Sequence, residues 1–214
     1  KVFLYDTEAN AWLQAAVSGP CKAPALQRAS STLVGEELHV FGGISGDDSK
    51  PTDALHVLDL RTMGWPVLRP GGYSPSARVG HAMASMRAGV FLSGGLEDSG
   101  AHTNTFATFD AASMVWEVPR FDGTAPGARV GHTLATIDGE RVVLYGGASG
   151  GRPLSELCVL HCRTSYWEKA SFGDVGGEPP PALVGHTVCH VDVSVQGQLA
   201  KDNIAYAGQK LLVF

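Results

Sequence analysis

Residues 129–170 read RVGHTLATIDGERVVLYGGASGGRPLSELCVLHCRTSYWEKA, and each landmark in this stretch recurs elsewhere in the chain at a fixed distance. Arg129-Val130-Gly131-His132 repeats Arg78-Val79-Gly80-His81. Leu183-Val184-Gly185-His186 is a third copy, and Arg28-Ala29-Ser30-Ser31 reads as a decayed fourth. Glycine pairs follow at Gly42-Gly43, Gly94-Gly95 and Gly146-Gly147. Asp or His, five residues, then Trp occurs four times: Asp6 to Trp12, Asp59 to Trp65, Asp110 to Trp116 and His161 to Trp167. The Trp-to-Trp steps are 53, 51 and 51 residues. Such self-similarity marks repeated units, each burying its apolar face against the next.

Within the quoted unit four short runs have strand character: Thr133–Ile137, Arg141–Tyr145, Leu157–Leu160 and Tyr166–Lys169, here called strands a, b, c and d. Asp138-Gly139 between a and b is a strong hairpin signal, and Val34-Gly35-Glu36-Glu37 plays the same part earlier. No stretch sustains a 3.6-residue period, and 27 Gly and 12 Pro punctuate the apolar runs, so helix is expected to be nearly absent. Four antiparallel strands repeated about an axis make an all-β propeller blade.

The order Arg-x-Gly-His, a strand ending in Gly-Gly, a strand ending in Asp, and Trp six residues on resembles the kelch repeat, and the resemblance covers essentially the whole chain. It implies a kelch-type propeller with blades at 28–68, 78–119 and 129–170. Half blades are expected at 1–13 and 182–214, the whole forming a segment of a six- or seven-bladed ring. A four-bladed ring closed by the two terminal halves is the alternative. Departures from the pattern are Ala29-Ser30-Ser31, His161 in place of Asp, and Leu183 in place of Arg.

A net charge of -5 and a pI near 5.9 provide no basic footprint for nucleic acid or an anionic membrane. No run approaches the roughly 20 apolar residues of a membrane span. Cys21, Cys158, Cys162 and Cys189 form no Cys-x-x-Cys pair and no disulfide framework, which fits a reducing, cytoplasmic setting.

Residues able to carry chemistry fit the repeat first. Trp12, Trp65, Trp116 and Trp167 are expected to be wedges between blades. The Gly pairs open no helix and precede no Lys-Ser or Lys-Thr, so they serve close backbone approach rather than phosphate. His81, His132 and His186 occupy one place in successive units and are expected to be structural. His186 and His190 share a strand face that Cys189 does not, and Cys158 and Cys162 lie about 13 Å apart along a strand. No metal and no cofactor is therefore expected. Asp6, Asp59 and Asp110 cap turns, and no catalytic constellation stands out. Galactose oxidases carry kelch-like blades with a copper site of Tyr, His and Cys. Here Tyr73, Tyr145, Tyr166 and Tyr206 are spread singly, and no motif carries that site over.

Binding is expected where the sequence departs from the repeat. The b–c loops (44–53, 96–104, 148–155) and d–a linkers (66–77, 119–128, 171–182) share one face and vary in length, and loops on a rigid scaffold concentrate binding. The b–c loops supply Asp47, Asp48, Glu97, Asp98, His102 and Arg152 as candidate partner-binding residues. A second candidate is an insertion within Asp192 to Ala207, on the opposite rim. From His132 the next Gly pair is 14 residues away, whereas the chain after His186 requires 29. It carries Leu199, Lys201 and Tyr206. The resemblance implies a non-enzymatic module for protein partners, a scaffold within a larger protein or assembly. The competing class is the propeller of an enzyme, galactose-oxidase-like or joined to a separate catalytic domain.

Overall fold

The computed structural model describes residues 2–46, 49–170, 180–193 and 208–214. All regular structure among them is β, with no helix. One antiparallel sheet pairs Ser30–Val34, Glu37–Phe41 and Leu55–Asp59. The next pairs Ala82–Met86, Gly89–Ser93, Phe106–Asp110 and Val115–Glu117. A third pairs Thr133–Ile137, Arg141–Tyr145, Leu157–His161 and Tyr166–Lys169. Each a strand packs beside the a strands of its neighbours, from Ser30–Val34 through Ala82–Met86 and Thr133–Ile137 to Val188–Val193. The a strands therefore face the axis and the d strands form the periphery, as in a kelch-type propeller.

The first of these sheets lacks a regular fourth strand, which shrinks to a bridge between Asp59 and Gly64. The cause lies one residue past the tryptophan. Glu117 pairs with Thr108 in the second sheet, but its counterpart here is Pro66, which has no N–H to give the ladder.

The d–a linkers, read as open loops from the sequence, add a further strand at the outer edge. Gly71–Gly72 runs parallel to Val115–Trp116, and Asp122–Gly123 parallel to Tyr166–Trp167. A Cβ on Gly72 or Gly123 would stand 2.1 Å from the carbonyl of Trp116 or Trp167, so only glycine lets the linker lie this close.

The c–d turns are built alike. Asp59 Oδ1 accepts the N–H groups of Arg61 and Thr62 (2.8 and 3.1 Å), and Asp110 Oδ1 accepts from the Ser113 N–H and hydroxyl (2.7 and 2.8 Å). Four residues after the marker, Asn10, Met63, Met114 and Ser165 all take positive φ between 51° and 57°. At the fourth turn His161 replaces Asp, and its ring approaches Glu168 (3.0 Å) instead.

Two apolar cores lie between sheets. Phe41, Leu55 and Val57 of one sheet meet Met83, Leu92, Phe109 and Trp116 of the next. Ala84 and Phe91 meet Val142, Leu144, Cys158, Leu160, Cys162 and Trp167. Trp65, Trp116 and Trp167 are buried, but Trp12 is 72% exposed. It makes a tilted contact with Tyr5 (ring centroids 5.1 Å apart, planes at 52°) in the two-stranded sheet of Phe3–Asp6 and Ala11–Gln14, and among the described residues no a and b strands stand behind it. In this segment Trp12 is therefore exposed where its three counterparts are buried.

The first copy of the Arg-Val-Gly-His motif is displaced by two residues from the sequence reading. Leu26 and Gln27 pair with Ser45 and Ile44 just as Arg78 and Val79 pair with Glu97 and Leu96. Leu26-Gln27-Arg28-Ala29 is thus the structural copy, and Arg28 stands where the others have glycine. Finally, Val188–Val193 and Gly208–Val213 form a hairpin in which Asp192 pairs Gln209. Asp192 and Val193, assigned to the insertion from sequence, continue the strand. Residues 194–207 lie outside the described residues.

Candidate functional site

Arg78 and Arg129 organise the face that carries the b–c loops and d–a linkers. Each is only 2% exposed. The Arg78 guanidinium donates to the carbonyls of Ser76 and Gly94 (2.9 and 3.0 Å) and to the hydroxyls of Thr105 and Ser76 (2.9 and 2.8 Å). Arg129 donates to the carbonyls of Gly127 and Gly146 (3.0 and 3.1 Å) and to Glu156 (2.6 Å). Each guanidinium thereby ties a linker, a Gly pair and the end of a b–c loop into one unit, with its donors satisfied as burial demands.

The Gly pairs interlock successive units. A Cβ on Gly42, Gly94 or Gly146 would lie 2.7–2.8 Å from Cε1 of His81, His132 or His186 in the next unit. The N–H groups of Gly43, Gly95 and Gly147 donate to the carbonyls of Arg78, Arg129 and Leu183 (2.8–2.9 Å). His81 and His132 are 5% and 4% exposed. Burial, then the neighbouring Arg78 and Arg129 respectively, pushes both imidazoles down to about 3. The Phe41 carbonyl faces His81 and the Ser93 carbonyl faces His132 as weak acceptors, though no ring nitrogen of either histidine makes a hydrogen bond of ordinary geometry.

The sequence-derived candidates are dispersed by this framework. Glu97 accepts the Ser76 hydroxyl (2.7 Å) and stands 3.7 Å from Arg78, so its carboxylate is partly engaged. Asp98 is exposed, His102 is half-buried beside Leu96, and Arg152 is exposed in the short ribbon Ala148–Ser149 with Arg152–Pro153. Glu97 and Arg152 belong to different units, and no contact joins them. Asp47, Asp48, Leu199, Lys201 and Tyr206 lie outside the described residues. Among the described residues no three His, Cys, Asp or Glu side chains gather as metal ligands.

What sequence reasoning missed is an apolar groove of about 390 Å³ on the second unit. Tyr73, Pro75, Phe106, Val118 and Pro119 line it, with Ser76 and Glu97 at one edge. Tyr73 is 80% and Val118 66% exposed. The third unit closes the same place with charge. Lys169, at the position of Val118, pairs with Glu156, which also receives Arg129; Lys169 first and Arg129 second hold the Glu156 carboxyl below its ordinary range. The signal was in the sequence, since Thr105 and Glu156 both fall 27 residues after the buried Arg. Its meaning needed the contact.

A family model described as the KLHDC2/KLHL20/DRC7 Kelch-repeats domain matches residues 1–196. The chain is 32% identical over 189 residues to Tip elongation aberrant protein 1 of Schizosaccharomyces pombe, covering 83% of this chain and 16% of that protein. It is 34% identical over 189 residues to Acyl-CoA-binding domain-containing protein 4 of Arabidopsis thaliana, covering 86% of this chain and 27% of that one. It is 26% identical over 171 residues to Serine/threonine-protein phosphatase BSL2 of the same plant, covering 70% and 17% respectively. The chain spans less than a third of the length of each of these relatives.

Proposed function

Since the chain belongs to the kelch-repeat family, we propose that it is a non-enzymatic docking module of a larger intracellular protein and engages a protein partner through its b–c and d–a loop face. Kelch-repeat domains mediate protein–protein contacts, and the family is typically non-enzymatic. The relatives named above pair such a domain with very different names, so partner identity does not transfer from them. The carrying observation is the groove of Tyr73, Phe106 and Val118. An exposed tyrosine beside an apolar trough, rimmed by Ser76 and Glu97, has the make-up of an interface centre. Its floor is fixed, because Arg78 pins the linker and loop that form it.

The test is site-specific photocrosslinking in cells of the parent protein. A crosslinking side chain replaces Tyr73 in one variant and Arg163, on the opposite c–d turn and 80% exposed, in another. A discrete protein adduct from position 73, abolished by Val118→Asp, is the expected result. Adducts of equal yield from both positions, or insensitivity to Val118→Asp, would refute the loop-face assignment. The insertion, with Leu199, Lys201 and Tyr206, is the second surface in this proposal. A variant without Ser194 to Asn203 that keeps its position-73 adduct assigns contact to the loop face alone.

A further inference from the structure

The second and third units end their c–d ladders differently. In the third unit the ladder runs to Lys169, opposite Cys158, and the next residue, Ala170, donates its N–H to the Leu157 carbonyl (2.9 Å). In the second unit it stops one pair earlier, at Glu117 opposite Thr108. Counted from the two tryptophans, Val118 stands at the place of Lys169, Pro119 at that of Ala170, and Phe106 at that of Leu157. Pro119 has no N–H, so the Phe106 carbonyl loses the bond that closes the ladder. Phe106, Val118 and Pro119 all line the groove beside Tyr73.

The charges differ at the same place. Arg129 and Arg78 each hold one carboxylate at Nη2, Glu156 at 2.6 Å and Glu97 at 3.7 Å. Glu156 also receives the Lys169 ammonium. Glu97 has no second cation among the described residues; its other contact is the Ser76 hydroxyl (2.7 Å), and its half-buried side chain lines the groove. One dipeptide, Lys169-Ala170, thus gives the third unit an ammonium beside a carboxylate, an aliphatic stem and a backbone N–H on a strand carbonyl. Val118-Pro119 gives the second unit neither the ammonium nor the N–H. The groove is open, so both acceptors are within reach of another chain.

We propose that the groove binds an extended, lysine-containing peptide segment of the protein partner, which supplies from outside what Lys169-Ala170 supplies within the third unit. Its ammonium pairs with Glu97, its stem lies along Tyr73 and Val118, and the N–H of its following residue donates to the Phe106 carbonyl. Pairing a peptide backbone with an unfilled sheet position gives affinity, while the pockets beside it select side chains. A lysine stem buries its methylenes on apolar surface with the charge left at the rim, and an acidic residue there would face Glu97 and be rejected. This inference rests on the loop-face docking proposed above and adds the chemistry of what docks.

The probe is a fluorescein-labelled, end-blocked peptide, Gly-Val-Lys-Ala-Val-Gly, titrated against the full-length protein by fluorescence anisotropy. Saturable binding is expected. Norleucine in place of the lysine, and N-methylation of the alanine amide, should each weaken it by roughly fivefold, and Glu97→Gln should abolish the preference for lysine over norleucine. The decisive variant combines Val118→Lys with Pro119→Ala, giving the second unit the dipeptide of the third. It should unfold at or above the parent's midpoint yet lose the peptide, because its own lysine and N–H now occupy the groove. No saturable binding by the parent, equal affinity for the three peptides, or undiminished binding by the double variant overturns the inference. The crosslink at position 73 separates this result from the docking reading. A partner adduct that survives the double variant refutes the lysine peptide and leaves loop-face docking in place, whereas a parent protein that forms no such adduct refutes the docking itself.

Discussion

Replacing Trp116 with Ala tests the packing logic of the whole chain. Trp116 is 2% exposed, and its ring lies 5.3 Å from Phe41 in the preceding unit and 5.0 Å from Phe109 in its own. A buried Trp removes about 150–250 Å² from water, which at roughly 25 cal/mol per Å² is about 4–6 kcal/mol. An unfolded chain that already hides part of this surface lowers the figure, so a loss of about 3–5 kcal/mol is expected, in the range for Trp-to-Ala changes. The control is Trp12→Ala, at the same motif position but 72% exposed, where losing the tilted contact with Tyr5 should cost about 1 kcal/mol. Both are measured by urea unfolding followed by far-ultraviolet circular dichroism, with Trp116→Phe expected to fall between them. Equal losses for Trp116→Ala and Trp12→Ala would show that the tryptophan wedge does not join the units.

Three other outcomes follow from the contacts described. Gly94→Ala should destabilise by clearly more than Gly35→Ala in the same unfolding assay: both have φ near 60°, costing about 1–2 kcal/mol in an L-residue, but only at Gly94 does the Cβ also meet the Arg129 carbonyl and His132 at 2.8 Å. Arg129→Ala should cost about 3–5 kcal/mol, because it strands buried carbonyls and half of the Glu156 network, whereas Arg163→Ala, removing a surface pair with Glu140, should stay within about 1 kcal/mol. His81 and His132 are held neutral with pKa near 3 against 6.5 in the unfolded chain. The unfolded state therefore takes up their protons first, and the stability is complete above pH 6.5 and is lost as pH falls toward 3. Each contributes a slope approaching about 1.4 kcal/mol per pH unit well inside that window, so unfolding at pH 7.5, 6.5 and 5.5 should show a small drop in the first step and a clearly larger one in the second, both reduced in His132→Gln.

Much of this molecule is determined by residues that repeat. The Asp markers, the Gly pairs and the buried tryptophans are legible because each answers a local or nearest-neighbour demand that recurs with every unit: a capped turn, a backbone approach too close for a Cβ, a wedge between two sheets. Features whose meaning depends on a partner elsewhere in the chain were not legible. Pro66 deletes a ladder hydrogen bond only because its counterpart supplies one, and the linker glycines at 72 and 123 become an outer strand only when a tryptophan carbonyl lies beside them. Arg28 read as the decayed arginine of its motif until strand pairing moved the register by two and put it where the later units have glycine. Glu97, Asp98, His102 and Arg152 were singled out as polar residues in variable loops, yet loop polarity says nothing of distance. The groove at Tyr73 gathers residues between 73 and 119, brought together by how the linker folds back on the strands of its own unit, whereas the apolar cores joining Phe41 to Trp116 and Phe91 to Trp167 depend on how successive units stack around the axis.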